Sequence, residues 1–261
     1  APAQINIPRD MWTQVIDIEL PPIIKFERPS GGSEAIKEAA KLLSNADFPV
    51  ILSGAGVVLA DAINDCKALA EKLDSPVASG YQHNDSFPGS HPLAVGPLGY
   101  NGSKAAMELI SKADVVLALG TRLNPFSTLP GYGIDYWPKD AAIIQVDINS
   151  DRIGLTKKVS VGICGDAKQV AQQLLNSLSP EAGNKNRDER KALIHQTKSA
   201  WLQTLSSMDH EDDDPGTSWN EEARVRDADR MSPRMAWRAI QNGLPKNAII
   251  SSDIGLSLIH I

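Results

Sequence analysis

The run Asp114-Val115-Val116-Leu117-Ala118-Leu119-Gly120 constrains this chain more than any other feature, because no polar residue interrupts its apolar stretch. A strand with one wet face alternates apolar and polar side chains. A strand without that alternation is covered on both faces, as in parallel sheets. Pro49-Val50-Ile51-Leu52-Ser53 and Ile143-Ile144-Gln145-Val146-Asp147-Ile148 follow the same rule. Val77-Ala78-Ser79 is a weaker strand, and Val159 to Cys164 a last short one. Helical periodicity fills the gaps. It runs from about Val57 to Leu73, with Leu59, Ile63, Cys66, Ala70 and Leu73 on one face, then from Lys104 to Ser111 and from Ala167 to Leu178. Strands alternating with helices predict an α/β domain over roughly Ser33 to Ser179. Its expected form is a Rossmann-like parallel sheet with helices on both faces and right-handed crossovers.

Two flanking regions differ in character. Pro21, Pro22, Pro29, Gly31 and Gly32 punctuate the entry, where proline denies helix and glycine relaxes the backbone. After Ser179 polar residues dominate to Asn186, and a helical pattern then covers Asp188 to Met208 around Leu193, Trp201 and Leu205. His210-Glu211-Asp212-Asp213-Asp214-Pro215-Gly216 breaks it, and reads as a solvated linker rather than a cation site. Ser232-Pro233 then caps a helix carrying Met235, Trp237 and Ile240. Asn247 to Asp253 opens a second α/β unit. The chain starts at Ala1 rather than Met and stops just after a strand, so both ends read as cut. Leu256-Ser257-Leu258-Ile259-His260-Ile261 reads as a non-native tail.

Composition removes several function classes. Hydrophobic residues make up 42% of the 261, enough for a sizeable core. No apolar run is long enough to span a bilayer. A formal charge of −6 without a block of Lys and Arg argues against nucleic acid. Cys66 and Cys164 have no Cys or His neighbours at ligand spacing. A disulfide framework or zinc site is therefore not expected, and a reducing cytoplasm is.

Three segments carry candidate chemistry. Ser53-Gly54-Ala55-Gly56 follows a strand and precedes a helix, where N–H groups can face an anion. A dinucleotide fingerprint would place a third glycine where Leu59 stands, so nucleotide binding and a tight turn both remain open. Gly120-Thr121-Arg122 lies at the carboxyl end of the strongest strand, where open α/β sheets gather ligands. Arg122 there binds an anion or pairs with a nearby Asp; Asp147 meets a ribose or caps the next helix. The third segment, Gly80 to Pro92 running on through Gly96 to Gly102, reads as a long functional loop. Its His83 and His91 read as hydrogen-bonded loop residues rather than acid–base catalysts.

In order, these pieces resemble the thiamine diphosphate (ThDP) enzymes of the acetolactate synthase and pyruvate oxidase group. Gln4-Ile5-Asn6-Ile7-Pro8-Arg9-Asp10 resembles the segment closing their pyrimidine-binding domain. The proline-bearing linker, the central domain, the second linker and the Ser-Pro helix follow in that group's order. Gly80 to Pro92, Gly96 to Met107, Gly120-Thr121-Arg122-Leu123-Asn124-Pro125-Phe126 and Arg230 to Gly255 are similar to the branch acting on sulfoacetaldehyde. The resemblance implies a pyrimidine-domain end at 1–20, a linker at 21–32 and the central domain at 33–179. A linker at 180–230, the start of the diphosphate-binding domain at 231–255 and the tail at 256–261 complete the division.

The implied chemistry is conversion of sulfoacetaldehyde and phosphate to acetyl phosphate and sulfite. The ThDP carbanion adds to the aldehyde carbon, sulfite leaves, and phosphate takes the acetyl group. Mg²⁺ anchors the diphosphate. The group's catalytic glutamate and its Gly-Asp-Gly…Asn metal segment have no counterpart here, so both cofactors are expected mainly on missing domains. No catalytic or metal residue is assigned within the chain. Cofactor-side positions implied are Gly54, Gly56, Tyr100, Asn101, Arg122, Asp253 and Gly255. Pro97 to Asn101 and Arg122 match positions near a flavin in related synthases, but bound FAD is not expected here. A homo-oligomer, dimer or tetramer, is expected at full length, with no membrane or nucleic-acid partner. The alternatives are an acetolactate synthase-like enzyme with FAD in the central domain, or a non-catalytic nucleotide-binding module.

Overall fold

The computed structural model describes residues 4–99, 102–207, 233–245 and 248. Its centre is a six-stranded, wholly parallel sheet: β1 (Pro49–Ser53), β2 (Val77–Ser79), β3 (Ala94–Pro97), β4 (Val115–Leu119), β5 (Ala142–Asp147) and β6 (Val161–Cys164). The spatial order is β3-β2-β1-β4-β5-β6, the order of dinucleotide-binding sheets. Ile51 pairs with Val77 on one side and Leu117 on the other, so β1 lies at the centre. Every residue of β1 and β4 is buried, as their unbroken apolar runs require. β6, at the edge, alternates instead: Val161 and Ile163 face inward, Gly162 and Cys164 outward.

Helices cover both faces. α1 (Ser33–Asn45) buries Ile36, Ala39, Ala40 and Leu43, a spacing that makes one apolar stripe. It packs with α5 (Ala167–Ser177), which in turn meets α3 (Ile63–Leu73). α4 (Lys104–Ile110) packs with α6 (Arg187–Ser207). Capping fixes where two of these begin. Asp166 accepts the N–H groups of Lys168 and Gln169 at the start of α5, and Ser103 accepts that of Ala106 in α4. A last helix, α7, spans Pro233–Gly243.

Three readings of the sequence change. The helix expected from Val57 to Leu73 is two pieces, α2 (Ala55–Leu59) and α3, parted at Asp61 in the left-handed region (φ 55°). The break resets the helical phase, so Leu59 is 80% exposed while Cys66, Ala70 and Leu73 stay buried. The loop expected from Gly80 to Gly102 contains strand β3. Gly96 at φ +92° and Pro97 disguise it; proline is tolerated because β3 is an edge strand. Helix α1 begins where the domain was expected to begin, at Ser33, but no helix was read there. The remaining strands and helices match within a few residues.

Several expectations lie outside the described residues: the Ser232 cap, the acidic stretch His210 to Gly216, the strand from Asn247 and the terminal six residues. Residues 4–29 contribute no buried side chain, and leave Trp12, Val15, Ile23 and Phe26 at 75 to 99% exposure.

Candidate functional site

Strand order reverses between β1 and β4, so the loops leaving them diverge and open a crevice at their carboxyl ends. A cavity of about 510 Å³ lies there, reaching from α2 and the segment after β2 to the ends of β4 and β5.

Backbone contact builds its wall. The N–H of Gly54 donates to Leu119 O (3.1 Å), and that of Gly56 to Gly120 O (2.8 Å). A Cβ on Gly56 would stand 2.6 Å from Gly120 Cα, and one on Gly54 would stand 2.6 Å from Gly120 O. Gly120 itself has φ +62°. These three glycines let two main chains touch. The donors of Gly54 and Gly56 are committed to that contact, so both residues shape the crevice through room rather than hydrogen bonds to a ligand.

Arg122 lines the crevice with an exposed side chain and makes no hydrogen bond or ion pair among the described residues. No Asp pairs with it. The other nearby cation, Arg28, is held by Asp166 at 2.9 Å and also donates to Ala60 O. Asp147 accepts the N–H of Asn149 (2.9 Å) in a local turn, while the cap of the next short helix is Asn149, whose Oδ1 accepts the N–H of Asp151 (2.9 Å). Opposite, Tyr81 stacks on Phe126 with centroids 5.6 Å apart, and its N–H donates to Ser127 Oγ (2.9 Å). Burial pushes the nearby Tyr136 phenol up to about 12, so it stays a neutral donor to Ser127 O.

His83 lines the crevice, its Nδ1 4.0 Å from Asp85 Oδ1, beyond hydrogen-bond reach. His91 is a hydrogen-bonded loop residue: Nε2 meets Glu71 Oε1 at 3.2 Å and Nδ1 accepts the N–H of Leu93. Among the described residues no three His, Cys, Asp or Glu side chains converge on a metal position. Tyr100, Asn101, Asp253 and Gly255 lie outside the described residues.

The sequence reading missed Leu59 and the Tyr81–Phe126 stack, whose proximity depends on strand order. It also passed over Gln145, 1% exposed within β5. A lone amide inside Ile143-Ile144-Gln145-Val146 was the available signal. The arrangement offers one unpaired cation, an aromatic stack and an apolar lip at Leu59.

The sheet order and the crevice at its switch point define a doubly wound α/β domain of the nucleotide-binding type. The chain belongs to the family described as thiamine pyrophosphate enzyme, central domain, whose model matches residues 36–174. A probable sulfoacetaldehyde acetyltransferase of Rhizobium meliloti (strain 1021) is 79% identical over 98% of this chain and 43% of its own length. The sulfoacetaldehyde acetyltransferase of Roseovarius nubinhibens is 75% identical over 98% of this chain and 42% of its own length. A probable acetolactate synthase large subunit of Methanocaldococcus jannaschii is 38% identical over 79% of this chain and 34% of its own length. The chain thus spans less than half the length of the curated relatives it matches.

Proposed function

We propose that the whole protein is a ThDP- and Mg²⁺-dependent acyltransferase converting sulfoacetaldehyde and phosphate to acetyl phosphate and sulfite. One observation carries the reading: identity of 68 to 79% over 98% of this chain to relatives named for that reaction. The reaction balances without an external oxidant: the C–S electron pair leaves with sulfite, the former CH2 gains a proton to become methyl, and the aldehyde carbon loses its hydrogen as a proton and becomes the acyl carbon that phosphate takes. In this reading 33–179 is the central domain, 1–20 and 231–255 belong to its neighbours, and 21–32 and 180–230 are linkers. The protein works in the cytoplasm as a homo-oligomer.

The described residues do not fit a Mg²⁺–diphosphate site. Mg²⁺ takes one or two carboxylates beside phosphate oxygens, yet Asp166 is committed to the α5 cap and to Arg28, and Asp147, which accepts the N–H of Asn149, has no second free carboxylate beside it on the crevice wall. ThDP supplies carbanion chemistry when bound, and no bond-making step is assigned to residues of this crevice. Its proposed role is binding, with Arg122 meeting an oxyanion. Tyr100, Asn101, Asp253 and Gly255 remain proposed cofactor-side positions.

The test is to express the full reading frame with ThDP and Mg²⁺ and to measure sulfite and acetyl phosphate from sulfoacetaldehyde and phosphate. Acetolactate from pyruvate, with no sulfite, would overturn the reading. A second reading, FAD in the crevice of a synthase-like enzyme, draws on the switch-point cavity with its ring stack and free guanidinium. A flavin absorbance band in the purified protein is its test.

A further inference from the structure

Arg122 stands between two residues with left-handed backbone, Gly120 at φ +62° and Leu123 at φ +52°. Glycine adopts that conformation freely; leucine is strained in it, and such strain persists only where the surroundings fix it. The Leu123 side chain is fully buried in the core. Its N–H donates to Thr121 Oγ1 (3.3 Å), and its carbonyl accepts from Thr156 Oγ1 (2.8 Å). On the other side of Arg122, the Thr121 carbonyl accepts from Gln145 Nε2 (3.2 Å). That amide also donates to Arg152 O (3.2 Å) and accepts the N–H of Gly154 (2.9 Å).

Gln145 is thus a polar residue in a strand whose neighbours Ile144 and Val146 are fully buried. An apolar side chain would fill the place without needing partners, whereas a buried amide must find them. All of its partners are the main chain beside Arg122 and the 152–154 turn that leads to Thr156. We infer that Gln145, with Thr156, is a positioning residue. It fixes the peptides flanking Arg122 so that the guanidinium is presented, unpaired, to a tetrahedral oxyanion in the crevice, of the phosphate or sulfonate class. The inference rests on reading Arg122 as the anion-binding group. A cation whose backbone is already fixed loses less freedom when it binds, and that gain disappears when the brace is cut.

The test titrates the full chain with inorganic phosphate and, separately, with methanesulfonate, followed by NMR shifts of the amides of residues 121–123. Arg122→Ala should weaken binding about tenfold or more, as loss of a charged contact does. Gln145→Leu should weaken it about fivefold, and the double variant should bind no worse than Arg122→Ala alone, the signature of coupled residues. A stronger response to phosphate or to methanesulfonate assigns the oxyanion. Should Gln145→Leu not fold, Thr156→Val removes only the brace on Leu123 and should still weaken binding about threefold. A Gln145→Leu or Thr156→Val protein that melts earlier yet binds as wild type, while Arg122→Ala has lost binding, overturns the positioning role alone. Unchanged binding in Arg122→Ala, or no binding by the wild type, overturns the anion reading of Arg122 and the inference with it.

Discussion

Gly56 shows how a single residue sets the crevice. Its Cα runs against Gly120, and an added Cβ would meet the Gly120 backbone at 2.6 to 3.2 Å, with no flexible side chain to yield. Gly56→Ala should therefore cost roughly 2 kcal/mol or more in urea unfolding, as overpacking does. Gly89→Ala, where nothing lies within 4 Å of the new Cβ, is the control. It should shift stability by no more than about 0.5 kcal/mol. Cys66 makes a second prediction. Burial pushes its thiol from 9.0 to about 12. The unfolded chain thus ionises first as pH rises, and the contribution of the buried neutral thiol, fully present below 9.0, is lost towards about 12. Unfolding curves above pH 9 should weaken less steeply with pH in Cys66→Ala. A thiol reagent at neutral pH should modify exposed Cys164 and leave Cys66 untouched until denaturation. Described residues on either side of Asn101 are tied together: Gly102 N–H donates to Gly99 O (2.9 Å) and Ser103 N–H to Pro97 O (2.7 Å). If it meets substrate in the full-length enzyme, Asn101→Ala should lower kcat/KM about tenfold, or roughly 1.4 kcal/mol, with Tm unchanged. A fall in Tm at constant kcat/KM would assign it a structural role instead, the cap of α4 being Ser103.

Among the elements, α6 stands apart because it lacks a broad apolar stripe. It buries only Arg190, Ile194 and Thr197. Arg190 holds it, donating to the carbonyls of Asp47 (2.7 Å), Leu73 (3.0 Å), Asp74 (3.1 Å), Gly183 (2.5 Å) and Lys185 (2.7 Å). Asp74, capping α3 in the left-handed region, faces Arg187 and Lys191. Further along, Lys198 donates to the carbonyls of His91 and Pro92, and Trp201 meets Tyr132 edge-on at 5.8 Å. Replacing Arg190 with Met leaves five carbonyls without their donor, three of them in buried hydrogen bonds. The expected cost is roughly 3 kcal/mol or more. Hydrogen exchange should then accelerate across 187–207 before it does in the sheet. Equal protection of α6 in wild type and variant would show that its apolar contacts suffice.

At the scale of the molecule, the sheet domain buries its apolar surface while the segment before it does not. Ile5, Trp12, Val15, Ile23 and Phe26 are 75 to 99% exposed, an apolar strip longer than a solvated surface usually carries. Deleting residues 4–27 should lower the fluorescence of a bound hydrophobic dye by more than half, while the circular dichroism and Tm of the sheet domain stay near those of the parent. A collapse of Tm would mean that the segment supports the domain.

The α/β class, five strands of the sheet and helices α4, α5 and α6 were legible in the residues, because local rules govern them. A strand wet on neither face carries no alternation, and a helix packed on a sheet carries a stripe. Edge strand β3 was not legible: Gly96 and Pro97 contradict strand propensity, and only pairing with β2 forms it. Helix α1 could have been found from Ile36, Ala39, Ala40 and Leu43. The phase break at Asp61 was hidden, since nothing in the residue type announces a left-handed backbone there. Within the site, the sequence by itself determined that Gly54, Gly56 and Arg122 stand at carboxyl ends of strands. Tertiary structure decided that the glycines of two strands touch, that Arg28 is already paired with Asp166, and that Gln145 reaches across to Thr121. Those outcomes depend on which strands become neighbours, and register between residues 24 to 66 positions apart is settled by packing the whole sheet rather than by any local preference.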